Sequence, residues 1–248
     1  MSVLGIHKRI SKQALLNAKL LLLFLGVVFL SAFASERNMQ RSLLETPVIF
    51  ENPDQPLISE ETVNKLLIQN KGSVQNIKKL ALDLNRMETD LNANPYVKNA
   101  NVYVSVNGGV GVEVLQKTPI ARVQTTTVFY IDEEGKSMPT SPNFSVRVPL
   151  VTGQVNKNNL TDVYKVVKSI ADDSFFKKEI IGVVVKGANY KLLTREFDFH
   201  IEFGTSDNSN KKINNFKAFY KKALKDKTIE SYNSVNLQIA SQVICTKK

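Results

Sequence analysis

Residues 14–34 constrain this chain more than any other stretch. From position 20 the sequence reads LLLLFLGVVFLSAFA without a charge, and the 21 residues back to Ala14 are interrupted only by Asn17 and Lys19. A helix of that length covers about 30 Å, the thickness of a bilayer's hydrocarbon core. Lys19 lies about one turn inside, where its stem can snorkel to the interface. Lys8, Arg9 and Lys12 precede the span, and Arg37 and Arg41 follow it more sparsely. The positive-inside rule then leaves residues 1–13 as a cytoplasmic head and everything after 35 across the membrane. The alternative is a cleaved leader, because Ala32-Phe33-Ala34 before Ser35 has the small-x-small pattern. The apolar stretch is longer than an ordinary leader core, which favours an uncleaved anchor.

Composition removes several classes. A single cysteine, Cys245, allows neither an internal disulfide nor a thiolate zinc site, and His7 and His200 are too far apart to help. No phosphate-cradling glycine pattern occurs, and no cofactor is implied. The net charge is +10, but four of the 33 basic and none of the 23 acidic residues fall in residues 1–34. The remainder is only mildly basic, so nucleic acid is not an expected partner.

After a polar tether over residues 35–46, hydrophobic periodicity predicts an α+β module over 47–118 in the order β-α-α-β-β. A short strand at 47–50 precedes a helix capped by Ser59, with Glu60 and Glu61 in its first turn and Val63, Leu66 and Leu67 on one face. A second helix starts near Asp83 and ends at Asn94-Pro95. Ala100, Val102, Val104 and Val106 alternate with polar residues up to Asn107-Gly108-Gly109, and Val110, Val112 and Val114 resume the pattern, which makes a hairpin.

Residues 119–248 predict a second, larger domain with a mixed, mainly antiparallel sheet and helices. Strands are expected at 128–131, 146–151, 180–186, 191–195 and 196–203. A helix from about 160 buries Val163, Val166, Val167 and Ile170, and a basic helix over 210–226 turns Ile213, Phe216, Phe219, Tyr220 and Leu224 inward. The last strand is read from Tyr232 to Ile244, with Val235, Leu237, Ile239 and Val243 on the core side.

One enzymatic pattern needs weighing. Ser174-Phe175-Phe176-Lys177 and Ser206-Asp207-Asn208 imitate the SxxK and SDN elements of penicillin-binding enzymes, in which a lysine one turn after the serine takes its proton. The Lys-Thr-Gly element that should follow is missing, and too little chain remains for that catalytic domain. The run Asp132-Glu133-Glu134 before Gly135 reads as a solvated turn. No catalytic residue is assigned.

Five stretches taken in order resemble the FtsQ/DivIB cell-division proteins. Leu91-x-x-Asn94-Pro95-x-Val97-x-x-Ala100-x-Val102 is similar to the second half of a POTRA module, and Gln116-Lys117-Thr118-Pro119-Ile120-Ala121-Arg122 to the segment that closes it. Tyr130-Ile131-Asp132-x-x-Gly135, then Val148-Pro149-Leu150-Val151-Thr152-Gly153, and finally Tyr232-x-x-Val235-x-Leu237 are similar to segments of the following β domain. The wording is nearest to Bacteroidetes-type versions. The resemblance implies a non-enzymatic, bitopic (single-pass type II) inner-membrane protein with its bulk in the periplasm. Its implied partners are FtsB- and FtsL-like single-pass proteins and other divisome components at the septum, where it would help control wall synthesis. A POTRA-bearing outer-membrane assembly or secretion chaperone is the runner-up, but one module without a barrel is a poor match for it.

Partner binding is expected by strand addition at the C-terminal end, because an edge strand offers unpaired N–H and C=O groups. With the odd-numbered face committed to the core, Tyr232, Asn236, Gln238 and Ala240 are the candidate contacts, beside Lys217 and Lys221 on the basic helix. The resemblance implies the same place.

Overall fold

The computed structural model describes residues 12–39, 48–68, 83–104, 110–239 and 241–248. The N-terminal helix α1 (Lys12–Met39) contains a stretch, Leu15–Glu36, long and apolar enough to cross a membrane. Among the described residues nothing covers the apolar side chains of that stretch; Leu22, for example, is 74% exposed. A surface of that kind is stable against lipid rather than water.

The small module contains β1 (Val48–Phe50), α2 (Glu60–Ile68), α3 (Leu84–Asn92), β2 (Val97–Val104) and β3 (Val110–Gln116). The Ser59 hydroxyl accepts from the Thr62 amide and the Asp83 carboxylate from the Arg86 amide, so each helix starts on a side-chain cap. The sheet order is β1-β3-β2, with β2 antiparallel and β1 parallel to β3. Val102, Val112 and Val114 are buried beneath Val63, Leu67 and Leu91, while Val104 is half-buried at the margin. The expected turn at Asn107-Gly108-Gly109 lies outside the described residues.

The large domain is a nine-stranded mixed sheet with helices on one face. Its order is β12-β11-β10-β9-β8-β7-β4-β5-β6. The strands are β4 (Pro119–Gln124), β5 (Val128–Asp132), β6 (Ser137–Pro139), β7 (Leu150–Gly153), β8 (Ile180–Lys186), β9 (Asn189–Thr194), β10 (His200–Gly204), β11 (Tyr232–Asn236) and β12 (Ile244–Lys247). Parallel neighbours need crossovers. The helices α4 (Leu160–Asp172) and α5 (Phe176–Glu179) join β7 to its parallel neighbour β8, and α6 (Ser209–Lys225) joins β10 to its parallel neighbour β11. As predicted, α4 buries Val163, Val166, Val167 and Ile170. Phe176, Phe216, Ile201, Phe203 and Val235 continue the same core.

A third, smaller core joins the modules. Leu57 from the small module packs with Tyr130, Met138 and Val146, flanked by Tyr96 and Phe144. Around it the Tyr96 hydroxyl donates to the Thr140 carbonyl, Ser141 donates to the Leu57 carbonyl at 2.6 Å, and Lys98 pairs with Glu133.

Four expectations change in the structure. The strand foreseen over 146–151 begins only at Leu150. Pro149 has no N–H to give a ladder, and the residues before it leave the sheet to pack Val146 and Val148 onto the inter-module core. The strand foreseen over 196–203 begins at His200, because the Thr194 hydroxyl binds the carbonyls of Phe197 and Phe199 and folds that segment into a turn with stacked rings. Leu224 points outward, 45% exposed, since the inward stripe of α6 closes on Ala223. The single strand foreseen over 232–244 is two strands. Asn236 Oδ1 takes the Gln238 amide, the chain turns, and Ile239 becomes 48% exposed before β12 returns antiparallel to β11.

Candidate partner-binding edge

The doubling of the final strand moves the edge. β11 is interior, with β10 on one side and β12 on the other, and among the described residues no strand pairs with the outer side of β12. The register pairs Val235 with Cys245 and Asn236 with Ile244. Cys245 therefore turns toward the helices, where burial raises its thiol pKa, and Ile244 and Thr246 lie on the opposite face, exposed. Strand alternation fixes this division.

A bulge between Tyr232 and Ser234 shifts the parity assumed from the sequence. Tyr232 consequently sits on the helix side and meets Phe219 of α6 edge-on, with ring centres 5.4 Å apart. Asn236 is a turn-former. Gln238 is exposed and lies across Gly204, whose φ of +74° favours glycine and where a Cβ would come within 3.0 Å of the Gln238 side chain. Ala240 lies outside the described residues.

On the neighbouring helix, Lys217 is occupied. Its ammonium lies 2.7 Å from Asp173, whose carboxylate also accepts the amides of Phe175 and Phe176 at 3.1 and 3.0 Å. Lys221, Lys222 and Lys225 are exposed, and among the described residues none makes an ion pair. The charged surface of α6 is thus Lys221 and its neighbours, with Lys217 serving the fold.

Burial by itself would raise the Asp173 carboxyl, but the Lys217 ammonium and the two amides outweigh it, and the pKa is lowered. A lowered folded-state value stabilises the protein above the ordinary carboxylate range, and that contribution is lost as the pH falls through the folded value. Because Lys217 is partly solvent-screened, the term is modest. Asp173→Asn is expected to cost about 1 kcal/mol at neutral pH and to match the parent in acid, as read from urea unfolding at both pH values.

The serine–lysine imitation comes apart in space. Ser174 and Lys177 are both exposed, and neither hydrogen-bonds to the Ser206–Asn208 triplet among the described residues. Ser206 instead binds Asp162 at 3.4 Å. The described residues contain no group of three His, Cys, Asp or Glu able to hold a metal. His200, half-buried, faces Glu202 at 2.9 Å on the open side of the sheet.

Residues 118–246 match the family model described as FtsQ/DivIB, C-terminal related. This chain belongs to that family. Residues 40–115 match a POTRA-like domain, and the pairing of the two supports a cell-division scaffold. No curated protein matches the chain.

The FtsQ/DivIB-like segments now have physical reasons. Gln116, fully buried at the end of β3, accepts the amides of Leu57 and Ile58 through Oε1 at 2.8 and 3.1 Å and donates through Nε2 to the Asn52 carbonyl. It satisfies backbone that would otherwise be buried without partners. The Tyr130 hydroxyl accepts the Val146 amide, and Asp132 Oδ1 accepts those of Glu134 and Lys136, closing the turn at Gly135. Gly135 has φ +82° and sits under the Tyr164 ring, whose hydroxyl donates to the Glu133 carbonyl. The sequence marked Gln116 and Asp132 as motif letters; their partners came only from the tertiary structure.

Proposed function

We propose that this chain is a non-enzymatic, bitopic division scaffold. In this reading α1 remains attached as an inner-membrane anchor, the N-terminus is cytoplasmic, and the two modules are periplasmic. An extended segment of an FtsB- or FtsL-like single-pass protein adds to the outer side of β12, and through such contacts the scaffold recruits divisome components that govern septal wall synthesis. The observation that carries the reading is the β12 edge, which no strand among the described residues pairs with, in the domain that matches the FtsQ/DivIB family. Asn236 at the end of β11 and Gln238 just after it lie beside that edge, and Lys221 supplies charge from α6. Tyr232 and Lys217 support the contact from within, through Phe219 and Asp173.

A photo-crosslinking residue at Thr246, which is exposed on β12, tests this in dividing cells. The expected result is covalent capture of one single-pass partner, with none from the same residue placed at Asn158. Equal capture from both positions, or none from Thr246 in a folded, membrane-bound chain, would overturn the reading.

A further inference from the structure

The small module has edges of its own, and on one of them, β2, two amides are capped by side chains of the same chain. β2 is an outer strand of the β1-β3-β2 sheet. Ala100 and Val102 are two residues apart, so their amides point to the same side of the strand. Neither goes to β3. The Ala100 amide donates to Asn92 Oδ1 at 2.9 Å, and the Val102 amide donates to Glu88 Oε1 at 2.8 Å. Both acceptors come from α3.

The spacing explains the fit. Residues four apart on a helix are about 6 Å apart along its axis, and residues two apart on a strand are separated by about 6.6 Å. Glu88 and Asn92 therefore meet Val102 and Ala100 in order when helix and strand run in opposite directions. Each acceptor follows a core residue, Met87 or Leu91, by one position on α3. A rotation of about 100° carries the side chain from the core toward the strand's rim. The same helix thus buries its apolar stripe and holds two carbonyl-like oxygens against the edge.

We propose that α3 is an edge guard. Glu88 and Asn92 occupy the positions that carbonyls of an incoming strand would take, which keeps a second copy of this chain from pairing with β2. Unpaired strand edges invite association of that kind, and covering them is how folded proteins prevent it. With β2 guarded, β12 remains an edge available to a partner; that consequence rests on the reading of β12 given above, whereas the guard itself does not.

The test uses the full chain in detergent, with amide exchange and sedimentation as readouts. In the double variant Glu88→Ala with Asn92→Ala, exchange at Ala100 and Val102 is expected to quicken at least about tenfold, the loss of a hydrogen bond worth some 1.4 kcal/mol. The Val112 amide on β3 should keep its protection, and a concentration-dependent dimer should appear. Glu88→Gln retains the acceptor oxygen and should behave as the parent at Val102. Unchanged exchange at both amides, or exposed amides in a chain that stays monomeric, would overturn the proposal. If the double variant loses protection at Val112 as well, the single change Glu88→Lys decides. Because a lysine at the edge would itself oppose pairing, Glu88→Lys must quicken Val102 alone, and the single change Glu88→Ala must produce the dimer, or the proposal fails. Capture from Thr246 is scored separately, so failure of the β12 reading leaves this result intact.

Discussion

Replacing Phe216 by alanine is expected to destabilise the large domain by about 3–5 kcal/mol, the range for deleting a buried aromatic side chain. Phe216 is fully buried in α6 and touches five rings. Phe176 meets it edge-on at 5.5 Å and 84°, and Phe175, Phe199, Phe219 and Tyr220 surround it with centres 5.9 to 6.3 Å away. These rings come from α5, from the turn before β10 and from α6 itself, so little can move in to fill the space. For a chain of this size the midpoint should fall by roughly 10 °C. Trp is absent, so near-ultraviolet circular dichroism of the Phe and Tyr residues is the suitable probe. Leu224→Ala, one residue beyond the inward stripe, should change stability by no more than about 0.5 kcal/mol. Equal effects at the two positions would mean that α6 is docked with a different face.

That contrast marks where sequence periodicity stopped being informative. Over α4 the apolar spacing is regular and both ends are clear, and the buried set followed from the letters alone. Over α6 the same rule assigned Phe216 correctly and Leu224 wrongly, because an apolar residue past the last packed turn looks no different in sequence. Apolar patterning likewise identified β5 and β8. It overran at 196–199 and at 146–149, where a threonine hydroxyl bonding two carbonyls and a proline before the strand broke the ladder.

The edge was legible only in kind. The sequence pointed to the C-terminal end, but a continuous apolar alternation concealed the turn after Asn236 and the bulge beside Tyr232. Those two features decide which strand is uncovered and which face each residue takes. Glu88 and Asn92 carried no signal at all. Polar residues on a short helix read as solvated, and their role depends on a strand that begins five residues after Asn92.

The second large effect is expected from Val112→Asp. Val112 is fully buried on the central strand of the small module, paired with Val102 on β2 and Val48 on β1. Val63 and Leu91 of the two helices belong to the same cluster, which is apolar throughout. A carboxylate there has no partner, and the cost of burying it or of holding it protonated exceeds about 4 kcal/mol. A module of this size has little more than that to lose. Its unfolding releases Gln116 from the Leu57 and Ile58 amides and withdraws Leu57 and Tyr96 from the core shared with Tyr130. The large domain keeps its own core of Val183, Leu192 and Ile201 under the helices, so its amides should stay protected while those of Val112 and Val114 exchange freely. Hydrogen exchange resolved along the chain distinguishes the outcomes. A melt within about 1 kcal/mol of the parent would contradict the burial of Val112, and loss of protection at Val183 and Leu192 would show that the two modules unfold as one cooperative unit.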